Sequence, residues 1–342
     1  MKKSIPVLVL LLVILLLVAC GSNDSEGANG EDGTLTVYVA FPEEKAIAAI
    51  NQFEEETGIN VDMVRMSSGE VLAKVRAESN NPQADIWYGG PADTFEAAKT
   101  ENLLHAYESP EAEDIPEEYK DADGYWTGIF VGAVGFATNQ EFLDENGLEA
   151  PTNWEDLLNP VYKDELVMAH PGSSGAAYVA LYSILLAKDG DEEGFDYLNT
   201  LHEQMQQYTT SGAAPGRMVG LNEAGAAIMM GHDIAKHQAE GFDDIVLTFP
   251  EEGSGFAVDA VGMIEGAPNE ELAKEFIDWS VGVSGQEVGE SVEDFQSVTH
   301  PDATAPEGAP DSDDINLIDM DPKEAGERRE EIIDRWDNEV NN

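Results

Sequence analysis

Apolar and polar positions along the chain fall into two rhythms that trade places every ten to fifteen residues. Leu35, Val37, Tyr38 and Val39 form a short β-rich run. Ala46, Ile47, Ile50 and Phe53 then recur at the spacing of one helix face, and Gly58 ends it. The alternation continues as a strand over 59–64, a helix over 71–78, a strand over 84–88 and a helix over 91–102. Strands alternating with helices at this pace predict an α/β fold with a mostly parallel sheet, in which ligands sit beyond the carboxyl ends of the strands. A second series begins near Trp154, with a strand over 166–169, helices over 178–186 and 195–206, and strand-like runs over 226–230 and 245–249. Between the two series, residues 128–139 are apolar and glycine-spaced, which suits a strand that leaves one lobe and enters the other. Residues 257–264 suit the return crossing, and the acidic, mostly helical last eighty residues then finish the first lobe. The expected architecture is two lobes joined by two crossing strands that serve as a hinge, with a cleft between them. The first lobe takes 34–137 plus 258–342 and the second 138–257.

The amino terminus follows neither rhythm. Lys2 and Lys3 precede an apolar run over 5–19 that stops at Cys20. That run is shorter than the roughly 18 to 20 residues a helix needs to cross a bilayer, so residues 1–19 read as an export signal. Leu17, Val18, Ala19 and Cys20 resemble the lipobox of bacterial and archaeal lipoproteins, where cleavage leaves the cysteine first in the chain, to be acylated. Cys20 is the only cysteine, which excludes an internal disulfide and favours a lipid anchor over a redox or metal role. Residues 20–33 carry no large apolar side chain and read as a flexible acidic linker. The protein is therefore expected outside the cytoplasm, held to the membrane through lipidated Cys20.

Charge narrows the partners. The chain has 17 Lys and Arg against 69 Asp and Glu, and its formal charge of −52 becomes −54 once Lys2 and Lys3 leave with the signal. Such a surface repels nucleic acid and anionic lipid. Dispersed acids with few lysines are the composition expected of a protein kept soluble in concentrated salt, where the screening length falls to about 3 Å at 1 M.

Three glycine- and hydroxyl-rich segments open helices, the first two directly after a strand. Ser67, Ser68 and Gly69 offer free backbone N–H groups at the positive end of a helix, an arrangement that binds anions; Ser67 with Glu70 also fits a capping box, and one helix start serves both purposes. Ser173, Ser174 and Gly175 repeat the pattern in the other lobe, with Tyr178 in the helix that follows and plain capping as the competing reading. Ser211, Gly212 and Ala213 form the third, with Arg217 nearby. Tyr88 ends a strand just before Gly89, and by alternation it or Trp87 faces the cleft; Tyr88 is the chosen residue. His232 and Asp233 follow the strand over 226–230, again at a carboxyl end.

These residues carry a resemblance. The segments Ser67-Ser68-Gly69-Glu70 through Glu78, Ala84-Asp85-Ile86-Trp87-Tyr88-Gly89-Gly90-Pro91-Ala92-Asp93, 128–136, Trp154-Glu155-Asp156-Leu157-Leu158 and His232-Asp233 resemble the type II periplasmic binding proteins, in particular the cluster serving ferric iron, thiamine and phosphonates or organophosphates. The resemblance spans nearly the whole mature chain. It implies an extracytoplasmic receptor of an ABC importer that captures a small solute by hinge closure and, as a monomer, hands it to a permease driven by a cytoplasmic ATPase. The implied site is Ser67, Ser68, Gly69, Tyr88, Ser173, Ser174, Gly175, Tyr178, Ser211, Gly212, Ala213, His232 and Asp233. Ferric-binding members use two adjacent tyrosines in the second lobe; no Tyr-Tyr occurs here, and the corresponding loop is Ser211-Gly212-Ala213. Hard Fe(III) prefers anionic oxygen ligands, so the expected solute carries a phosphonate or phosphate, of the 2-aminoethylphosphonate, sugar phosphate or thiamine phosphate type, with ferric iron as the alternative. A secreted hydrolase is a more distant one. No Gly-x-Ser-x-Gly elbow, zinc-protease helix, phosphate-cradling or dinucleotide loop is present, and Asp189 to Thr200 lacks the last carboxylate of a calcium loop. No cofactor, resident metal or catalytic residue is expected.

Overall fold

In this computed structural model residues 33–188, 190–310 and 315–341 are described; the signal 1–19, Cys20 and the linker up to residue 32 lie outside the described residues. The chain runs β1 (Leu35–Val39), α1 (Glu43–Thr57), β2 (Val61–Arg65), α2 (Ser68–Glu78), β3 (Ile86–Pro91), α3 (Ala92–Thr100), β4 (Leu104–His105), β5 (Thr127–Asn139) and α4 (Gln140–Asn146). It continues with β6 (Leu166–Ala169), α5 (Gly175–Ala187), α6 (Asp191–His202), β7 (Met205–Thr209), α7 (Ala214–Gly220), β8 (Ala226–Met230), α8 (Gly231–Ala239) and β9 (Ile245–Thr248). The last elements are β10 (Phe256–Ile264), α9 (Glu270–Val281), α10 (Val283–Gln286), β11 (Ser297–Val298), α11 (Pro322–Glu327) and α12 (Arg329–Glu339).

The strands follow the order β2-β1-β3-β10-β5-β8-β6-β7. β1 pairs parallel with β2 and β3, and β6 pairs parallel with β7 and β8. β5 joins the two groups. Its first half, Thr127 to Ala133, lies antiparallel to β10, while Val134 to Thr138 lies antiparallel to β8. A thirteen-residue strand serves both halves because nearly every position is buried, so a continuous run of Ile129, Phe130, Val131, Val134 and Phe136 is needed in place of an alternating one. The return passes between β9, paired with the second half of β5, and β10, paired with the first. This is the two-lobed α/β architecture that the alternation implies.

Two differences matter for the site. Where the helix expected over 195–206 should end, α6 has already stopped at His202 and the chain forms β7, whose Gln206 and Gln207 point to solvent on an edge strand. The carboxy-terminal stretch, expected wholly with the first lobe, divides. Phe276 of α9 packs on Phe53 and Tyr88 of the first half. In contrast Ile332, Trp336 and Val340 join the core formed by Phe136, Leu166 and Tyr178 of the second. Trp336 is what draws α12 there, with its ring edge-on to His170 and Tyr208 at 4.8 and 5.0 Å. α5, apolar all round, is covered as such a helix must be, by sheet on one side and on the other by α6, with Tyr178 reaching the Ala325 carbonyl of α11.

Candidate functional site

The helix starts of α2 and α5 meet. Glu70 closes the capping box by accepting from the Ser67 N–H at 2.9 Å, and Ser174 caps α5 by accepting from the Ala177 N–H. Across the gap the Gly175 N–H donates to Ser68 Oγ at 2.9 Å and the Gly69 N–H donates to the Ser173 carbonyl at 3.1 Å. Such proximity requires glycine on both sides: a Cβ on Gly69 would stand 2.3 Å from the Gly172 carbonyl oxygen, and one on Gly175 2.4 Å from Ser68 Oγ. The third segment closes the group, because the hydroxyls of Ser67 and Ser173 both donate to the Thr210 carbonyl at 3.3 and 3.1 Å.

Beside this junction lies a cleft with about 580 Å³ of empty space, open solvent at its mouth included. Nine of the thirteen expected residues border it: Ser67, Ser68, Ser174, Gly175, Ser211, Gly212, Ala213, His232 and Asp233. Four do not, each for a physical reason. Gly69 and Ser173 are turned to one another, their backbone groups bonded. Tyr88 is fully buried between the rings of Phe41 and Phe276, because helices cover both faces of its strand and alternation cannot turn either face to a cleft; Gly90 and Pro91, at the strand's carboxyl end, reach the cavity instead. Tyr178 donates its hydroxyl to the Ala325 carbonyl at 2.6 Å, holding α11 rather than a solute.

Several lining residues escape the sequence reading. Arg65 ends β2 at its carboxyl edge and donates Nε to the Phe41 carbonyl at 2.9 Å; among the described residues no carboxylate forms a salt bridge with it. Asp259 sits on β10 where the register shifts against both β5 and β3, and such bulges re-aim a side chain. Its single acid within an apolar crossing strand was a legible signal. Gln296, from the irregular stretch after α10, gave none. Burial pushes the carboxyls of Asp233 and Asp259 up, with the neighbouring His232 opposing in both. His232 Nε2 stands 3.9 Å from Asp233 Oδ1, and its buried Nδ1 has no partner.

The cavity therefore has two chemistries. One group, around the three helix starts and Arg65, is rich in donors and positive potential. The other, formed by His232, Asp233 and Asp259, presents acceptors, with Gln296 bonded behind Asp259.

Comparison with known proteins agrees with this geometry. The profile of the family described as bacterial extracellular solute-binding protein matches residues 81–320. An uncharacterized protein of Haemophilus influenzae is 34% identical over 332 residues, 95% of each chain. A putative 2-aminoethylphosphonate-binding periplasmic protein of Salmonella typhimurium is 26% identical over 68% of each chain. Among solved structures, the periplasmic binding protein AfuA of Actinobacillus pleuropneumoniae with fructose-6-phosphate bound is similar at a TM-score of 0.87 and 33% identity, over 91% of this chain and 99% of that one.

Proposed function

Because this chain belongs to the family of bacterial extracellular solute-binding proteins, we propose that its cavity captures a small organic phosphate or phosphonate that carries hydroxyl or ammonium donors at its other end. One observation carries the reading: a single cavity holds both the donor group and the carboxylates of buried Asp233 and half-buried Asp259. The oxyanion is taken by Arg65 and the hydroxyls of Ser68, Ser174 and Ser211, with the positive ends of α2 and α5 adding their dipoles; the Gly69 and Gly175 N–H groups and the Ser67 hydroxyl are already bonded across the junction. Asp233, Asp259 and His232 accept from the remainder of the solute. The bound solutes named for the Salmonella relative and for AfuA are both of this bipolar kind. No tyrosine is among the lining residues, which supports an organic anion over ferric iron.

The lobes, 34–137 with the chain from 258 onward and 138–257, close on the solute by bending at the crossing strands, while α11 packs on α3 of the first lobe and α12 joins the core of the second. The closed receptor delivers its cargo to an ABC permease, and acylated Cys20 keeps it at the membrane. One acyl chain binds a bilayer only marginally, so more than one is implied. The protein acts as a receptor and not as a catalyst. Calorimetric titration of the mature protein with fructose 6-phosphate, 2-aminoethylphosphonate, inorganic phosphate and ferric citrate tests the reading. Binding of an organic phosphate or phosphonate more tightly than inorganic phosphate is expected; binding of ferric iron alone refutes it.

A further inference from the structure

Beneath the cavity floor lies a lysine that no solute can touch. Lys45, on the first turn of α1, is 0% exposed, with its ammonium 3.4 Å from the centre of the Phe130 ring. It bonds Asp294 Oδ1 at 3.0 Å and donates to the Gln296 amide oxygen. Gln296 in turn donates its Nε2 to Asp259 Oδ2 at 2.5 Å, and both Gln296 and Asp259 face the cavity. The order of donors along this chain has only one solution. An ammonium has hydrogens and no lone pair, so the amide must turn its oxygen toward Lys45. Its NH2 is then committed to Asp259 Oδ2, which orients that carboxylate and supplies a donor to one of its oxygens.

The compensation of charge runs along the same line. Asp294 acts on both Asp233 and Asp259, His232 acts on all three carboxylates, and Lys45 is the cation that faces all three from below. Without a cation there, three carboxylates at short range, two of them buried and the third half-buried, cannot all remain ionised. The remaining neighbours of the cluster are the Tyr88 and Phe41 rings, which contribute no formal charge, and Lys236 and His237, which act on Asp233.

We propose that Lys45 is a positioning residue for solute selection: acting through the Gln296 amide, it fixes Asp259 as an ionised, directed acceptor for the hydroxyl or ammonium end of the solute. This rests on the reading of the cavity given above. It assigns selectivity between an organic phosphate and inorganic phosphate to a side chain outside the cavity.

The measured quantity is the ratio of the Kd for inorganic phosphate to the Kd for fructose 6-phosphate or 2-aminoethylphosphonate, whichever the wild type binds more tightly. Lys45→Met, which keeps the length of the side chain and removes its charge and donors, is expected to lower this ratio at least tenfold. Gln296→Met cuts the relay while leaving the Lys45 and Asp294 pair intact; it should lower the ratio likewise, and it decides alone if Lys45→Met does not fold. In an Asp259→Asn background, Lys45→Met should change the ratio no further. A purely structural lysine would weaken all probes together and leave the ratio constant. An unchanged ratio in the relay variants of a wild type that prefers the organic probe overturns the relay and spares the reading of the cavity, as does an undiminished effect in the Asp259→Asn background. A wild type that prefers neither organic probe to inorganic phosphate overturns both.

Discussion

Arg329 offers the sharpest test of how the carboxy-terminal helices join the two halves. Its Nη1 lies 2.6 Å from Asp93 Oδ2 on α3, its Nη2 donates to the Pro171 carbonyl of the second half at 3.3 Å, and its guanidinium stacks 4.2 Å from the Tyr178 ring. The two side chains are 4% and 1% exposed, so the pair is screened little by solvent. Burial pushes the Asp93 carboxyl up to about 6 even though Arg329 pulls it down. Replacing Arg329 by Met keeps the bulk over Tyr178 and removes that pull, so the carboxyl moves higher still. A carboxyl raised on folding binds its proton more tightly in the native state, so stability falls as pH rises from the ordinary carboxylate range through the folded value. In the variant that fall extends to higher pH than in the wild type. Below pH 6 both proteins carry a neutral Asp93, and the cost is that of lost hydrogen bonds, about 1–2 kcal/mol. Above pH 6 the wild type ionises and the variant does not, so the difference widens by about 1.4 kcal/mol per pH unit, toward the roughly 3–5 kcal/mol typical of a broken buried pair. Urea unfolding at pH 5, 6, 7 and 8 in fixed NaCl measures it. A difference that stays flat across that range, or falls below about 1 kcal/mol at pH 8, refutes the account.

Three further outcomes are expected. Arg65→Met should weaken binding of an organic phosphate by roughly 10- to 100-fold, the equivalent of a charge-assisted hydrogen bond of about 1.5–3 kcal/mol, while the melting temperature without solute stays put; unchanged affinity by calorimetry removes Arg65 from the site. Gly175→Ala places a Cβ against Ser68 and should wedge the α2 and α5 starts apart; small-angle scattering of the solute-loaded variant should show a larger radius of gyration than the loaded wild type, and identical curves would disprove the wedge. With 69 acids against 17 bases, self-repulsion should make the melting temperature climb with NaCl between low ionic strength and 2 M, and full stability at low salt counts against that reading.

Strand and helix alternation made the architecture readable, since periodicity reports burial and burial is what the two halves share. Ser67 and Ser174 were readable for the same reason, because they sit at strand ends where chain direction dictates that they converge, whereas Ser211 was readable only from the composition of its loop, since β7 hides within a stretch that reads as helix. What escaped depends on tertiary placement. Tyr88 looked available because alternation is a rule for half-covered sheets, and this strand is covered on both faces. Tyr178 looked available because nothing local says that α11 returns to take its hydroxyl. Asp259 was visible as a lone acid in an apolar strand, and Arg65 as a rare cation at a carboxyl end, whereas Gln296 comes from an irregular stretch with no periodicity to place it.

The uninterrupted β5 strand has a consequence for the sequence of events in capture. If one half turns on the other about the crossing at Ala133 and Val134, displacement grows with distance from that point. Gly132 lies against the ring of His232, and Asp259 pairs beside Phe130, so the acceptor side of the cavity sits near the axis and barely shifts. The Ser68 and Gly175 contact joins the tips of two helices that belong to opposite halves, and it is made only at the end of the swing. A solute would then be inspected by its hydroxyls or amine while the gate stands ajar, and its phosphorus-bearing end would be gripped last, so that shutting reports a molecule already checked.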